Sequence, residues 1–332
     1  MMQGLVARSR TRWHTSTQKR RKIQRIIGLG VLAVFALVAV KTLFEGPAKF
    51  ALISLNGLTL GALYFLVASG FSLIFGVMRV VNMAHGSFYL LGGYIGSIVL
   101  ASTGSWMLAL LVGGISIALV GVVVQQGLLR RVQGDDMREA LITIGLSIIA
   151  ADLMIAFWGG AIKNISPPTW AMGSQELAFG ISYPKYRLFV LVLALIIGLI
   201  LWFILQRTRT GMIVRAAVDD RRMVSALGVN VEWIYAAVFA LAALLAGLSG
   251  VVGGTFIALG PGEDQQFLLV SLIVVIVGGL GSLSGTALSA VLVGLVDQFA
   301  AVYDPTYSVL YVFAVLVVFL AFRPQGMFGR AG

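Results

Sequence analysis

One of the two histidines of this 332-residue chain lies in a short polar stretch between two long apolar runs, VVNMAHGSFYLLGGYIG at 80–96. Asn82 and His85 are the groups there that could bind a metal or move a proton. A metal site would need further ligands, yet the sequence has no HExxH pattern, no carboxylate cluster beside His85 and no cysteine. We therefore predict a hydrogen-bonded turn, in which Asn82 caps the incoming helix and Gly86 permits a close approach of the backbone.

Other patterns that could do chemistry are incomplete. The sequence GLSG at 247–250 offers Ser249 as a nucleophile, but no histidine follows residue 85 to act as its base. Together with GVVGG at 250–254, this stretch is typical of helices that pack through small residues. No lysine follows a glycine, so the nucleotide-binding pattern GxxxxGK[ST] is absent. We expect a protein that is not an enzyme and holds no cofactor or metal; a separate subunit would have to supply any ATP hydrolysis.

The composition indicates helices that cross a membrane. Hydrophobic residues make up 59% of the chain and charged residues 11%, whereas soluble domains have about 25% charged residues. The apolar runs are continuous, which favours helices over β-barrel strands. Because a spanning helix needs about 20 apolar residues, we predict an all-α polytopic membrane protein with about ten spans. The predicted spans are 26–43, 51–76, 86–104, 106–128, 140–158, 188–205, 232–258, 267–281, 283–300 and 307–322. The pair that meets at 278–285 could instead be one broken or re-entrant helix.

The basic residues predict how the chain is oriented. Most of the 24 Lys and Arg residues fall in alternate segments between the spans, and cytoplasmic loops carry the excess of positive charge. Both termini are therefore predicted to be cytoplasmic. Residues 1–25 form a basic tail that orients the protein or binds anionic lipid, 26–325 the membrane domain, and 326–332 a second tail. The net charge of +11 needs no nucleic acid to explain it.

Ionisable groups inside a membrane usually mark ion-coupled transport. Asp152 is the only carboxylate that we place well inside a predicted span, and Asp297 lies near the outer end of another. Without paired cations in the membrane, they are weak support for a proton pump or a secondary transporter. The sequence favours a path for a neutral or zwitterionic solute.

Two segments between the spans can hold structure of their own. The outer loop 159–187, which contains three prolines, could dock an external partner or cap the helix ends. The cytoplasmic segment 207–233 predicts one amphipathic helix of about four turns, N-capped by Thr210 and ended by Gly228. Its apolar face would consist of Val214, Ala217, Val218, Val224 and Leu227. Such a helix could enter a groove of a partner protein or lie on lipid headgroups.

Two stretches resemble the LivH-type permeases of branched-chain amino acid ABC transporters. Residues 55–96, LNGLTLGALYFLVASGFSLIFGVMRVVNMAHGSFYLLGGYIG, are similar to that family's asparagine–glycine helix and its N-x-A-H-G turn. Residues 215–231, RAAVDDRRMVSALGVNV, are similar to its version of the loop that engages the ATPase subunits. Residues 275–294 share the family's glycine pattern more weakly, and residues 1–48 are less typical of it.

The resemblance implies a permease of the bacterial inner membrane that moves leucine, isoleucine or valine inward by alternating access, or urea or short amides as related permeases do. Its partners would be ATPase subunits that bind ATP and Mg²⁺, a second permease (LivM-like or a second copy) and a periplasmic binding protein. The implied coupling residues are Arg215, Ala216, Ala217, Asp219, Leu227 and Gly228. The implied residues of the path or gate are Asn56, Gly57, Asn82, His85 and Gly86. An ATP-independent channel would use the same path without the coupling segment.

Overall fold

The computed structural model describes residues 41–177 and 180–329. The helices are α1 (Pro47–Met78), α2 (His85–Thr103), α3 (Trp106–Gly127), α4 (Asp136–Trp158), α5 (Lys185–Arg207), α6 (Arg209–Asp219), α7 (Arg221–Ala226), α8 (Val231–Phe256), α9 (Glu263–Gly278), α10 (Leu283–Tyr303) and α11 (Ser308–Phe322). Within the described ranges, eight helices are long and apolar enough to cross a membrane: α1 to α5, α8, α10, and α11 with the turn that precedes it. The prediction of an all-α polytopic membrane protein is confirmed.

The predicted spans from 51–76 onward each correspond to one helix. The predicted span 26–43 lies outside the described residues except for 41–43, which are helical. The predicted span 267–281 is α9, which starts earlier, at Glu263, and has only 16 residues. It is therefore too short to count among the eight. A tight turn separates it from α10, because Gly279 and Gly281 adopt φ angles of 101° and 79° that other residues rarely adopt.

Two central helices, α1 and α8, form the core of the bundle. In α1, 83% of the apolar window is buried, and in α8 72%. Glycines bring the backbones together: a Cβ on Gly61 of α1 would lie 2.7 Å from the carbonyl oxygen of Ala290 on α10. A Cβ on Gly92 of α2 would lie 2.5 Å from the Cα of Gly247 on α8. The glycines that composition associates with membrane helices thus act as close-packing positions.

The outer loop folds over the ends of the helices. After a 3₁₀ turn at Thr169–Ala171, strand β1 (Ser174–Glu176) pairs antiparallel with β2 (Ser182–Pro184). Tyr183 lies in β2, and its hydroxyl is 2.8 Å from that of Thr59 on α1. Lys163 forms a backbone bridge with Leu259, which follows α8. These contacts favour a loop that caps the bundle.

The described end of the chain folds back onto the turn between α9 and α10. The amide of Met327 donates to the carbonyl of Val277 at 2.8 Å, and the amide of Phe328 donates to that of Gly278 at 3.0 Å. The returning segment can approach this closely because Gly279 lacks a side chain. A Cβ on Gly279 would lie 2.4 Å from the amide nitrogen of Gly329. Residues 327–328, which we assigned to a tail, are therefore bound to the bundle.

Candidate functional site

The helix that begins at His85 starts deep inside the bundle. Helix α1 ends at Met78, and Arg79 closes it in a left-handed conformation with φ 59°. The non-helical residues 79–84 then run back along α1, because the His85 ring lies 2.9 Å from the carbonyl oxygen of Val67. Val67 is about three turns, or roughly 16 Å, before the end of α1. His85 is fully buried at this position.

Asn82 holds this returning segment rather than the helix itself. Its side-chain oxygen accepts from the amide of Ala84 at 3.0 Å, and its carbonyl accepts from the amide of His85 at 3.2 Å. The N-cap residue of α2 is Ala84, which makes no side-chain capping bond. Asn82 therefore does not cap α2 as predicted, but bonds the amide of Ala84 two residues further along the turn. The neighbouring amide of Met83 is satisfied by the hydroxyl of Thr143 on α4, at 3.2 Å.

The imidazole of His85 fits between helices. Its Nε2 bonds the carbonyl of Val67, and its ring meets that of Phe71 edge to face with centroids 5.6 Å apart. Its Nδ1 has no partner among the described residues, and the same holds for Nδ2 of Asn82. Buried polar groups are normally paired, so two unpaired donors or acceptors in one turn are unusual.

Three helices meet at the start of α2. A Cβ on Gly86 would lie 1.9 Å from the carbonyl oxygen of Asp264, so only glycine lets α9 approach this closely. The hydroxyl of Ser87 lies 3.4 Å from a carboxylate oxygen of Asp264 and 3.1 Å from the hydroxyl of Ser147 on α4. We call this meeting point, formed by Asn82 to Ser87, Thr143, Ser147 and Asp264, the polar junction.

Asp264 is a buried carboxylate that the predicted spans did not include, because the helix predicted at 267–281 begins at Glu263. Asp264 is only 3% exposed, and no ion pair holds it within the described part of the chain. As the second residue of α9, it lies where the helix dipole favours a negative charge. Helix starts that lie inside a bundle and carry polar groups form substrate sites in many secondary transporters. The sequence signal for this buried carboxylate was PGED at 261–264, where a proline and a glycine interrupt helical structure directly before an apolar run.

Aromatic residues and a second carboxylate line the region above the polar junction. The hydroxyl of Tyr64 on α1 donates to a carboxylate oxygen of Asp297 on α10, at 2.6 Å. Phe267 on α9 stacks on Tyr89, with ring centroids 4.0 Å apart, and meets Tyr64 edge to face at 6.3 Å. Glu263 has a buried carboxylate oxygen with no partner among the described residues. Helices α1, α2, α9 and α10 therefore share one polar, aromatic contact region.

Asn56 and Gly57 lie in a different place from Asn82 and His85. The side-chain oxygen of Asn56 accepts from the guanidinium of Arg187 at the start of α5. That guanidinium also lies over the ring of Phe256, 4.6 Å from its centroid. A Cβ on Gly57 would lie 2.9 Å from the Cα of Leu295, so Gly57 is a packing position. The structure thus separates the predicted path residues into an outer pair and the inner polar junction, and it adds Arg187.

The segment 207–233 forms two helices rather than the predicted single one. The hydroxyl of Thr208, not that of Thr210, caps α6 by accepting from the amide of Gly211 at 3.2 Å. The helix is interrupted at Asp220, whose carboxylate accepts from the amides of Arg222 and Met223 in the first turn of α7, at 2.9 and 3.0 Å. Such a cap competes with helix continuation, which is why α6 ends there. The predicted end at Gly228 is confirmed, with φ 83°.

The two faces of α6 and α7 differ from the prediction at one position. Val214, Ala217 and Val224 are buried as expected, but Leu227 is 78% exposed. Met212 and Met223 are likewise exposed, at 60% and 65%, and we call these three exposed apolar residues the docking face. Exposed methionine and leucine side chains on a helix pair are typical of adaptable protein contacts.

The charged residues of this segment tie it to the membrane helices. The guanidinium of Arg215 donates to the carbonyl of Leu205 near the end of α5. Arg221 donates to the side-chain oxygen of Gln133 at 3.1 Å and lies over the ring of Tyr235 on α8. Ala216 and Asp219 are exposed beside the docking face. A cavity of about 410 Å³ opens between α7 and the start of α8, lined by Arg221, Ser225, Gly228, Val229, Asn230, Val231 and Glu232.

Comparison with known proteins gives this arrangement a family. A family model described as the permease component of branched-chain amino acid transport systems matches residues 53–320. The chain belongs to this family. It is 30% identical to the high-affinity branched-chain amino acid permease BraD of Pseudomonas aeruginosa, over 83% of this chain and 94% of that one. It is 28% identical to LivH of Escherichia coli over the same shares, and 24% identical to LivM of that organism, over 81% and 68%.

A solved structure, the PsaBC complex of Streptococcus pneumoniae with a Fab, has a chain that superposes with a TM-score of 0.48 at 12% identity, over 87% of this permease and 94% of that chain. That similarity is too distant to assign a fold. The fold of this permease rests on its own helices and on its family.

Proposed function

We propose that this permease is the membrane subunit of an ATP-driven importer that moves branched-chain amino acids inward by alternating access. The docking face carries the proposal. Met212, Met223 and Leu227 are exposed on two short helices that are too polar to span a membrane. These two short helices, α6 and α7, contact α5 and α8 through Arg215 and Arg221, so a partner that binds them can move membrane helices.

Contacts offer a route for such motion. Arg215 connects α6 to α5, and Arg221 connects α7 to α8 through the ring of Tyr235. Helix α8 packs on α2 through glycines, and α2 carries His85 and Ser87 at its start. A displacement of the docking face would therefore tilt α8 and shift the polar junction. Packed interfaces with two arrangements are the common device for such switching.

The path would run from the outer end of the bundle to the polar junction. Arg187 and Asp297, which the predicted topology assigns to the outer half, are opposite charges, which suits a solute with both an ammonium and a carboxylate group. Phe267, Tyr64 and Tyr89 provide the apolar surface for an aliphatic side chain. Further along the path, Asp264 and the unpaired groups of Asn82 and His85 would form hydrogen bonds with the polar end of the solute. Discrimination against urea or short amides, which are uncharged, would then depend on the charges of both Arg187 and Asp297.

The remaining parts of the transporter follow from this role. ATP and Mg²⁺ would be bound by ATPase subunits on the docking face, and a periplasmic binding protein would deliver the solute to the loop at 159–187. A second permease, LivM-like or a copy of this chain, would complete the membrane part. Both termini, including the tail at 1–25, would lie in the cytoplasm of a bacterial cell, with residues 26–325 as the membrane domain.

A charge on the docking face tests the proposal. We expect Met223→Glu to lower ATP-dependent leucine uptake in proteoliposomes at least tenfold and to weaken binding of the ATPase subunits. The matched control is Met137→Glu, because Met137 is a similarly exposed methionine, at 71%, on α4. Uptake should stay within twofold of wild type in the control. Undiminished ATP-dependent uptake by the Met223 variant would contradict the assignment, and uptake without ATP would identify a channel.

A further inference from the structure

A buried carboxylate with one unpaired oxygen lies at the start of α4. Glu139 is 1% exposed, and its Oε1 accepts from the amide of Gly134 at 3.0 Å. Its Oε2 is also buried and has no hydrogen-bond partner among the described residues. Burying a charge costs much free energy unless it is paired and hydrogen-bonded. Protonation would not remove the deficit, because an O–H at Oε2 would itself lack an acceptor.

The charge that attracts Glu139 belongs to the segment 207–233. Arg221 is the first residue of α7, and its positive charge acts on the Glu139 carboxylate. The nearby carboxylates of Asp135 and Asp136 repel it instead. Yet the guanidinium of Arg221 donates to Oε1 of Gln133, at 3.1 Å. Arg221 is exposed, so its long side chain is free to change acceptor.

The acceptor that Arg221 uses lies beside the one that it leaves unpaired. Gln133 directly precedes Gly134, whose amide bonds Glu139. A carboxylate binds a guanidinium more strongly than a neutral amide oxygen does. The stronger acceptor for Arg221 is therefore close to the weaker one that it occupies.

Unpaired polar atoms are concentrated in this stretch of the chain. Of the eight buried side-chain atoms that lack a partner in the described ranges, four belong to Gln125, Gln133 and Glu139. Because buried polar atoms are normally paired, each of these needs an explanation. For Glu139, the explanation has to include the cation that acts on it without bonding it.

Helix α4 connects Glu139 to the polar junction. Glu139, Thr143 and Ser147 follow one another at intervals of four, so they share one side of the helix, which we call the inner stripe. Thr143 accepts from the amide of Met83 at 3.2 Å, and the hydroxyls of Ser147 and Ser87 lie 3.1 Å apart. A displacement of the first turn of α4 would therefore reach the start of α2.

We propose that Glu139 is a positioning residue of the transport cycle, which takes Arg221 from Gln133 in a second arrangement of the segment 207–233. The inference rests on the proposed function, because it assumes that a partner moves this segment. In the second arrangement the guanidinium and the carboxylate form an ion pair, and α7 pulls on the first turn of α4. The inner stripe then shifts the polar junction, so that α4 transmits the motion in addition to α5 and α8.

An isosteric substitution separates the charge of Glu139 from its bond to the backbone. Glutamine can still accept from Gly134 through Oε1 but carries no charge to pair with Arg221. We expect Glu139→Gln to lower ATP-dependent uptake in proteoliposomes at least tenfold. The melting temperature in detergent should stay equal or rise, because an unpaired buried charge is removed.

The matched control is Asp135→Asn. It removes a carboxylate from the same helix start but keeps an oxygen that can accept from the amide of Arg138, as the N-cap of α4 does. Uptake by the control should stay within twofold of wild type. Uptake by Glu139→Gln within twofold of wild type would refute the role of Glu139. A lower melting temperature with a matching loss of uptake would show that Glu139 acts only on stability and would also overturn the proposal.

A double-mutant cycle tests the pairing. Arg221→Gln should lower uptake about as much as Glu139→Gln, and the double variant should be no worse than either, because the two side chains would act as one unit. Arg221→Lys, which keeps the charge, should recover most of the uptake. Losses that add in the double variant would show that the two side chains act separately and would overturn the pairing.

Cysteine crosslinking distinguishes the two arrangements, because the chain has no cysteine of its own. Arg221→Cys with Gln133→Cys reports the arrangement in the structure, and Arg221→Cys with Glu139→Cys reports the second one. With the ATPase subunits present, we expect a non-hydrolysable ATP analogue to change the two yields with a short thiol crosslinker in opposite directions. If wild type imports solute with ATP while neither yield responds, the role of Glu139 is wrong and the proposed function stands; absence of ATP-dependent uptake removes the function instead.

Discussion

Replacement of Gly86 by alanine should force α2 and α9 apart at the polar junction. The added Cβ would lie 1.9 Å from the carbonyl oxygen of Asp264 and 3.0 Å from the Cβ of Leu268. An ordinary contact of that kind is about 3.4 Å, so the backbones must separate by roughly 1.5 Å. Because the obstacle is main chain and not a side chain that can rotate, overpacking of this kind costs about 1 to 3 kcal/mol.

The same shift should disturb transport more than stability. Ser87 is the next residue, and its bond to Asp264 is already long, at 3.4 Å, so a separation of this size breaks it. We expect Gly86→Ala to lower uptake in proteoliposomes more than tenfold, together with a measurable loss of thermal stability in detergent.

The control for this change is Gly127→Ala. Gly127 is the last residue of α3, and a Cβ there would touch nothing within 4 Å. Alanine is a better helix former than glycine by about 1 kcal/mol or less, so this variant should be as stable as wild type or slightly more stable. If Gly86→Ala behaves like the control in both uptake and melting temperature, α9 does not approach α2 as the structure places it, and the polar junction is misassigned.

Three further predictions address other parts of the permease. Gly228→Ala should weaken the end of the coupling segment by about 1 kcal/mol, because φ 83° suits glycine; reduced stimulation of the ATPase subunits at unchanged expression checks it, and full stimulation contradicts it. Tyr64→Phe should remove the 2.6 Å hydrogen bond to Asp297 and lower uptake several-fold, whereas the control Tyr307→Phe, at an exposed position, should not lower uptake. Equal uptake by both variants would exclude a role for the Tyr64–Asp297 hydrogen bond in transport. Removal of residues 326–332 should lower the melting temperature, because two backbone bonds to the end of α9 are lost; an unchanged melting temperature would show that this contact does not stabilise the bundle.

The positions of the spanning helices could be predicted because they depend on local composition. Lipid offers no hydrogen bonds, so an apolar run of sufficient length must form a helix wherever it lies in the chain. The end at Gly228 and the break between α9 and α10 were predictable for a similar reason, since glycine permits the φ angles observed there. Each of these conclusions needs only the residues in one short window.

The polar junction could be predicted only in part. The sequence pointed to Asn82, His85 and Gly86 as a turn with close backbone approach, and the structure has both features. It could not tell which backbone approaches Gly86, because a glycine carries no information about its remote neighbour. Asp264 was missed for the same reason, since its burial depends on α9 beginning inside the bundle.

The sequence by itself determined that this protein is a helical membrane protein with a polar turn after α1 and a short amphipathic segment before α8. Only the tertiary structure decided how deep His85 lies, that Asp220 divides the coupling segment, and that Leu227 points outward. Hydrophobicity and backbone preference act on neighbouring residues, whereas depth, partners and exposure depend on helices that are distant in sequence. The exposed carboxylate of Asp152 belongs to the second group, because a sequence shows that a charge is present in a span but not which side of the helix bundle it faces.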